Sequence, residues 1–367
     1  MSAIEWITIE GFKSLRSVEE LRLTPINVII GSNGSGKSNF IGVFSFLNAI
    51  REGRLKEYVG RNGGANNILY FGSRVTKKLR FKVSFADDIN QYEIALAPTQ
   101  DDGLIPISEI VSYWDKRRHA SPYERSILGF GTEASISTRS EGITHFVRRH
   151  LASWRLYHFH DTSSTSPMKQ TCDLEDNRFL RSDGSNIPAF LYAMKKMYPQ
   201  NYQMIVGVVQ RVAPFFEDFV LEPSVLNEEK IRLEWKHKGS DAYFSSASLS
   251  DGTLRFIALA TLFMQPVTLR PSVILVDEPE LGLHPYALTM LASMVRQASE
   301  RTQIIISTQS ALLLDHFNPE EVLVADRIDE HTELKRLVPE QLEDWLGEYG
   351  LGQLWEKAEV GGRPGSQ

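Results

Sequence analysis

Residues 31–38 read GSNGSGKS, between the apolar segment PINVII (25–30) and a helical pattern that begins at Lys37. A strand, a glycine loop and a helix start in this order form the phosphate-binding pattern G-x-x-x-x-G-K-[ST]. Glycines let backbone N–H groups turn toward phosphates, and a helix N-terminus adds about half a positive charge. We therefore predict a phosphate loop made of Gly31, Ser32, Asn33, Gly34, Ser35, Gly36, Lys37 and Ser38.

Within this loop, two side chains have predicted roles of their own. Lys37 is expected to reach the β and γ phosphates of a nucleotide, which also makes it a candidate catalytic residue. The Ser38 hydroxyl is expected to be a Mg²⁺ ligand.

A second candidate element is the run VILVDEPE at 273–280, an apolar strand that ends in acids. The carboxyl ends of parallel strands meet at one edge of the sheet, so these acids should lie beside the phosphate loop. We expect Asp277 to hold Mg²⁺ and Glu278 to act as the base that polarises the attacking water. An acidic cap on a buried strand is the plainer interpretation, and the presence of the phosphate loop argues against it.

The serine turn, residues 248–253 (SLSDGT), precedes an apolar helical pattern at 254–265. The Ser250 hydroxyl, the Gly252 N–H and the helix dipole could form a second phosphate-binding device. One chain cannot easily place both devices on the same phosphate. We therefore expect each subunit to supply its serine turn to the nucleotide of its twin, which predicts a homodimer. A simple N-capping serine is the alternative.

Bulk composition is that of an ordinary globular protein, with 42% hydrophobic residues, 23% charged residues and a net charge of −6 over 367 residues. No stretch reaches the about 18 uninterrupted apolar residues of a membrane helix, and the N-terminus lacks a secretory pattern. Cys172 is the single cysteine, which excludes an intramolecular disulfide. A cytoplasmic location is expected. The net charge leaves a local basic groove possible.

Strand and helix patterns divide the chain into a strongly patterned N-terminal part (1–97), a less regular part (98–240) and a patterned C-terminal part (241–360). We interpret the outer parts as the two halves of one α/β head, a mixed sheet with flanking helices, and the middle as an inserted α+β lobe. Strands are predicted at 68–72 and 154–161 and a closing helix at 339–357, whereas 361–367 should be disordered.

The three motifs, together with GFKSL (11–15) and ELGLHP (280–285), resemble the P-loop heads of SMC, RecF and OLD-type ABC ATPases. The whole chain is similar to the stand-alone bacterial AAA-family ATPases of that group. The resemblance implies ATP and Mg²⁺ as ligands, a head-to-tail dimer around two ATP, and hydrolysis of ATP to ADP and phosphate. It also places Phe12, Lys13 and Ser14 near the nucleotide.

Departures from the family pattern refine these expectations. Many relatives carry histidine where this chain has Gln309, after the segment QIIIST (303–308). Glutamine can bond a γ-phosphate but carries no charge, so hydrolysis should be slow. Too few residues follow Ser310 for a nuclease domain. The resemblance thus implies a separate effector such as a nuclease, or DNA as partner, in DNA repair or anti-phage defence.

Several alternatives stay open at this stage. An ATPase subunit of a membrane transporter is the second hypothesis and a small-molecule kinase the third. His158 and His160, beside Asp161, could form a metal pair, although histidines on a strand are more often structural. The basic segments 116–119 and 148–150, with Trp114, Phe146 and Trp154 nearby, could bind nucleic acid or be solvated turns.

Overall fold

The computed structural model describes residues 3–357 and 359–362. Its strands are β1 (Ile4–Phe12), β2 (Leu15–Arg22), β3 (Ile26–Ile30), β4 (Leu79–Phe85), β5 (Asn90–Pro98), β6 (Leu104–Tyr113), β7 (Tyr123–Ser126), β8 (Trp154–Tyr157), β9 (Cys172–Asp173), β10 (Phe216–Val220), β11 (Lys230–Ile231), β12 (Glu234–His237), β13 (Tyr243–Ser245), β14 (Val273–Asp277), β15 (Gln303–Thr308), β16 (Val322–Ile328) and β17 (His331–Arg336).

The α-helices are α1 (Lys37–Glu52), α2 (Leu55–Arg61), α3 (Ala65–Ile68), α4 (Gly72–Val75), α5 (Ile143–Ala152), α6 (Ile187–Met197), α7 (Pro199–Val212), α8 (Asp251–Met264), α9 (Pro285–Ser299), α10 (Ala311–Leu314), α11 (Glu343–Leu346) and α12 (Leu351–Glu356). Single turns of 3₁₀ helix lie at Ser135–Ser137, Pro167–Lys169, Ser246–Ser248, Pro319–Glu321 and Pro339–Gln341.

The central sheet has the strand order β17-β16-β3-β15-β14-β8. Its strands β16, β3, β15, β14 and β8 run parallel, and β17 pairs antiparallel at one edge. The strands β14 and β15 are adjacent and α9 connects them, which forms a parallel strand–helix–strand crossover. The loops that follow β3, β14 and β15 therefore leave the sheet at one edge.

Both faces of this sheet are covered, which explains the unbroken apolar runs in its strands. Along β14, Val273 and Leu275 pack into a core with α1 and with the sheet that contains β1, β4 and β5. Ile274 and Val276 point the other way, into a core with α6 to α9. The helix α1 is thus packed between two sheets, which fixes the position of the phosphate loop at its N-terminus.

A second sheet is antiparallel throughout, in the order β2-β1-β4-β5-β6-β7. Smaller sheets join β10, β12 and β13, and β9 with β11. The middle part of the chain, interpreted as an inserted α+β lobe, contributes strands to both of the large sheets. Its strand β6 extends the second sheet and its strand β8 closes one edge of the central sheet. The boundaries at 97 and 240 stay a prediction.

Three local predictions were wrong. Residues 68–72 are the end of α3, a turn and the start of α4, since Gly72 has a positive φ of 72° that interrupts an extended chain. Residues 158–161 leave the sheet after β8. The closing helix is broken into α11 and α12, with Gly347 and Gly350 between them.

The predicted disordered tail lies partly outside the described residues, at 363–367. Its first two residues do have a defined place. The N–H of Gly362 donates to Asp326 Oδ1 at 2.5 Å, and its carbonyl accepts from the Ser32 N–H at 2.6 Å. These two glycines therefore lie against the start of the phosphate loop. Over the described chain, no helix combines the length and apolarity needed to cross a bilayer.

Candidate functional site

The phosphate loop connects β3 to α1, and its backbone is shaped by contacts with β17. Gly36 has a φ of 104°, and a Cβ there would overlap the Thr332 side chain. The Thr332 hydroxyl donates to the Ser35 carbonyl at 2.8 Å and bonds Ser14 Oγ at 2.7 Å. Only glycine fits this position, and Thr332 anchors the loop from the sheet edge.

Lys37 lies at the centre of the predicted loop. Its Nζ donates to the carbonyls of Gly31 and Ser32, at 2.7 and 2.9 Å. An ammonium has three N–H bonds, so one remains for a phosphate oxygen. Burial lowers the pKa of Lys37, and the charges of Glu278, Asp277 and Glu280 partly oppose that effect. The lysine and the three acids thus occupy one site.

Asp277 ends β14, and Glu278 follows it with a left-handed φ of 42°. Such a conformation is strained for a non-glycine residue and is often found at functional sites. The Ser307 hydroxyl donates to Asp277 Oδ1, and the Gln309 side-chain amide donates to Glu278 Oε1. The structure therefore brings Gln309 to the predicted base.

Glu280 is a residue of the site that the sequence reasoning missed. Its Oε1 accepts from the Thr308 hydroxyl at 2.6 Å and from the Gln309 N–H at 2.9 Å. Its Oε2 is buried and has no hydrogen-bond partner among the described residues. Burial raises the pKa of Glu280. The acid run DEPE was a visible signal, but only the fold shows that Glu280 points inward.

The serine turn leads into α8, as predicted. Ser250 caps this helix, because its Oγ accepts from the Thr253 N–H at 3.2 Å. Both Ser250 and Asp251 are exposed. The plain capping role is therefore present, and an exposed hydroxyl at the helix N-terminus also remains accessible to an external phosphate.

Gly252 rests against the loop that follows the acids. A Cβ at this position would overlap the Gly282 carbonyl oxygen. The turn thus packs directly on the segment after Glu278, within the same chain. Glycine is required here for this close approach rather than for a left-handed backbone.

The β1–β2 turn forms one wall of a cavity of about 750 Å³ beside the phosphate loop. Lys13, Ser14, Phe71, Arg327 and Glu330 are among its lining residues. Ser14 Oγ accepts from Asn39 Nδ2 at 2.7 Å, so the cavity shares a wall with α1. Lys13, Phe71 and Glu330 all have left-handed φ angles, of 48°, 50° and 66°. Three residues with a strained backbone conformation thus line this cavity.

Phe12 is a correction to the predicted set. Its ring is fully buried and packs against Phe46 and Phe81, at centroid distances of 5.6 Å each. Its side chain therefore belongs to the core and cannot contact a nucleotide. Only Lys13 and Ser14 of that segment face the cavity.

The two histidines that follow β8 lie at the same sheet edge. His160 Nε2 is 2.7 Å from the Asp277 carbonyl oxygen. Burial lowers the pKa of His158. Within residues 3–357 and 359–362, no group of three or more histidine, cysteine or acidic side chains could hold a metal ion. The histidines therefore do not form a metal site with Asp161.

Of the aromatic residues near the basic segments, Phe146 is 54% exposed and Trp154 is buried. Trp154 is 3% exposed and packs against Phe44 and Phe85, so it cannot stack on a base. Lys116 pairs with Asp88 at 3.0 Å. A nucleic-acid surface on these segments stays a prediction, without a contribution from Trp154.

Residues 26–315 match the family described as "AAA domain, putative AbiEii toxin, Type IV TA system". The chain belongs to this family. No curated protein matches its sequence. The family assignment confirms the resemblance to SMC- and RecF-like P-loop ATPases.

Solved structures support the same fold for this AAA-domain protein. A head of SMC bound to the C-winged helix domain of ScpA has a TM-score of 0.62 at 17% identity, over 93% of this chain and 99% of that chain. An SMC head of Pyrococcus furiosus, with an extended coiled coil and bound to the C-terminal domain of ScpA, has 0.58 at 15%, over 95% and 99%. The SMC head of Thermotoga maritima has 0.50 at 12%, over 91% and 99%. The predicted fold class is confirmed.

Proposed function

We propose that this protein binds and hydrolyses ATP as an ABC-type switch that closes head-to-tail around two nucleotides. One observation carries the proposal: the loops after β3, β14 and β15 meet at one sheet edge, where Lys37 lies in the field of three acids. A cation between a glycine loop and strand-end carboxylates fits a triphosphate with its metal.

The ligand fit rests on the chemistry of the donor set. Gly36 has a left-handed backbone and lies against Thr332, and the Ser35 hydroxyl is buried with no partner among the described residues. These features leave one polar side chain for phosphate oxygens, together with the loop N–H groups other than those of Ser32 and Ser35. Ser38 and Asp277 would hold Mg²⁺, which when bound would neutralise charge on the β and γ phosphates.

Hydrolysis needs a base beside the γ-phosphate, and Glu278 is that residue in our proposal. Its carboxylate is oriented by the Gln309 amide, a neutral donor. The base would take a proton from the attacking water and Lys37 would offset charge that develops on the phosphate. Because Gln309 cannot supply a positive charge, turnover should be slow.

The cavity beside the phosphate loop would hold the nucleoside. Phe71 is 53% exposed and can stack a base, and Lys13 and Arg327 add positive charge near the phosphates. Ser14 links this cavity to the phosphate loop through Asn39 and Thr332. The base and the phosphates would therefore occupy one continuous site.

Dimerisation follows from the exposed serine turn. Ser250 and the N-terminus of α8 are ready to receive an anion from outside the chain. A twin related by two-fold symmetry would place its own serine turn on this chain's ATP, which gives two identical shared sites. ATP would close the dimer and hydrolysis would reopen it.

The downstream partner is a separate effector protein such as a nuclease, or DNA. The family description names a putative toxin of a toxin–antitoxin system, which favours a defence role over DNA repair. Two of the similar SMC heads are bound to a domain of another protein, ScpA. A head of this fold that acts through a partner polypeptide is consistent with both observations.

Complementation between two inactive variants tests the shared sites. Ser250→Arg blocks the turn and Lys37→Ala removes phosphate binding, so each homodimer should lose hydrolysis. A mixture should regain activity, because one of its two sites combines an intact loop with an intact turn. Cross-linking must show that the mixed dimer forms. A mixed dimer of folded variants that stays inactive would refute the shared-site proposal.

A further inference from the structure

Arg255 lies in α8, one turn after Gly252, and is 7% exposed. Its guanidinium donates to three backbone carbonyls: Nε to Phe159 at 2.9 Å, Nη2 to His160 at 3.0 Å, and Nη1 to Leu281. A planar fork with five N–H bonds suits three acceptors at once. No other side chain type can make this set of contacts.

The three acceptors belong to two loops of the chain's own nucleotide site. Phe159 and His160 follow β8, and the His160 ring bonds the Asp277 carbonyl at 2.7 Å. Leu281 lies three residues after Glu278 in the chain. Arg255 therefore connects the helix behind the serine turn to both sides of the acidic motif.

Independent contacts hold the same turn to the same loops. Gly252 packs on the Gly282 carbonyl, where no side chain would fit. Lys169, from the segment after His160, lies 3.4 Å from Asp251. A turn that the proposed dimer presents to its twin is thus fastened to the metal and base residues of its own chain.

We propose that Arg255 is a positioning residue, which sets the serine turn in the place where it meets the twin's ATP. This inference rests on the proposed dimer. The loops at 159–160 and 281–282 of each protomer then hold the turn that completes the site of its twin.

The first test compares Arg255→Gln with a matched control. Arg270 is a half-buried arginine that likewise donates to backbone carbonyls, those of Gln265 at 2.7 Å and Ala298 at 3.3 Å, outside the site. We expect Arg255→Gln to lower kcat about tenfold or more, since it loses charged hydrogen bonds. The KM for ATP should change less than about threefold, because the phosphate loop is untouched. Arg270→Gln should lower the melting temperature comparably and keep its kcat.

The second test places the defect in one protomer. In a mixed dimer of Arg255→Gln with Lys37→Ala, one site combines an intact phosphate loop with an intact serine turn, so activity should return. A second mixed dimer pairs a chain that carries both Arg255→Gln and Lys37→Ala with a wild-type chain. Its only intact phosphate loop, that of the wild-type chain, then meets the displaced turn of the double variant. That dimer should stay inactive. If Arg255→Gln does not fold, Arg255→Lys serves in both mixtures.

A parallel mixture of Ser250→Arg with Lys37→Ala distinguishes a failure of the Arg255 proposal from a failure of the dimer proposal. If activity returns in this mixture but not in the mixture of Arg255→Gln with Lys37→Ala, Arg255 serves the site of its own chain. That result overturns the positioning role and leaves the dimer proposal standing. A lack of recovery in both mixtures, with mixed dimers formed, would refute the dimer itself. An equal loss of kcat in Arg270→Gln would also overturn the positioning role.

Discussion

Replacement of Phe71 by alanine tests whether the cavity beside the phosphate loop binds the nucleobase of ATP. Phe71 is 53% exposed, and a phenylalanine offers about 200 Å² in all, so about 100 Å² is open to a ligand. A base that covers half of that area removes about 50 Å² from water. At about 25 cal/mol per Å², this contributes about 1.3 kcal/mol, which corresponds to a roughly tenfold change in affinity.

Calorimetric titration with a non-hydrolysable ATP analogue and with inorganic tripolyphosphate, both with Mg²⁺, measures this contribution. Phe71→Ala should weaken the analogue about tenfold and leave tripolyphosphate within about twofold. Phe71→Trp should restore the analogue. Alanine keeps a Cβ, so the strain of the left-handed φ of 50° is present in both proteins. Phe130, which is fully exposed, provides the control Phe130→Ala.

Two results would refute the reasoning. An equal loss of affinity for the analogue and for tripolyphosphate would mean that Phe71 supports the phosphate loop rather than contacts the nucleobase. No loss of affinity for either ligand would place the nucleobase elsewhere. The comparison does not depend on turnover, so slow hydrolysis cannot obscure it.

Two further predictions concern the acids. Glu278→Gln should bind ATP normally, stop turnover and accumulate as dimer, because the amide cannot accept a proton. Size-exclusion chromatography with ATP measures the dimer, and phosphate release measures the turnover. Turnover at the wild-type rate would exclude Glu278 as the catalytic base. Burial raises the pKa of Glu280 in the folded protein, so the protonated carboxyl stabilises the fold relative to the ionised one. This stabilisation is complete below the pKa of the unfolded chain and is lost as the pH rises through the pKa of the folded protein. Denaturation of Glu280→Gln from pH 4 to 8 should therefore show a stability advantage over wild type that grows with pH, and a constant difference would contradict the buried carboxylate.

The sequence predicted the elements whose local chemistry is self-contained. The phosphate loop, the strand that ends at Asp277 and the capped turn at Ser250 all carry their signal within about ten residues. The central sheet followed, because its strands are unbroken apolar runs. Local patterns also explain the failures, since Gly347 and Gly350 break a helix that the apolar spacing favoured.

Contacts between distant segments could not be predicted in this way. Thr332 anchors the phosphate loop from a strand that lies almost 300 residues later, and no motif marks it. Arg255 looked like an ordinary helical residue until the loops at 159–160 and 281 came together around it. Phe12 failed for the opposite reason, because its ring packs in the core against Phe46 and Phe81 although it is close in sequence to Ser14.

The end of β15 explains how three carboxylates share one site with a lysine. Ser307 donates to Asp277, Thr308 donates to Glu280, and Gln309 donates to Glu278 through its side chain and to Glu280 through its backbone. Buried acids are costly unless they are hydrogen-bonded, and here a single strand end supplies a donor to each one. The segment at 307–309 is therefore the structural counterpart of the acidic motif. A shift of this strand end would alter Asp277, Glu278 and Glu280 together, which are the proposed Mg²⁺ ligand, the proposed base and the buried acid.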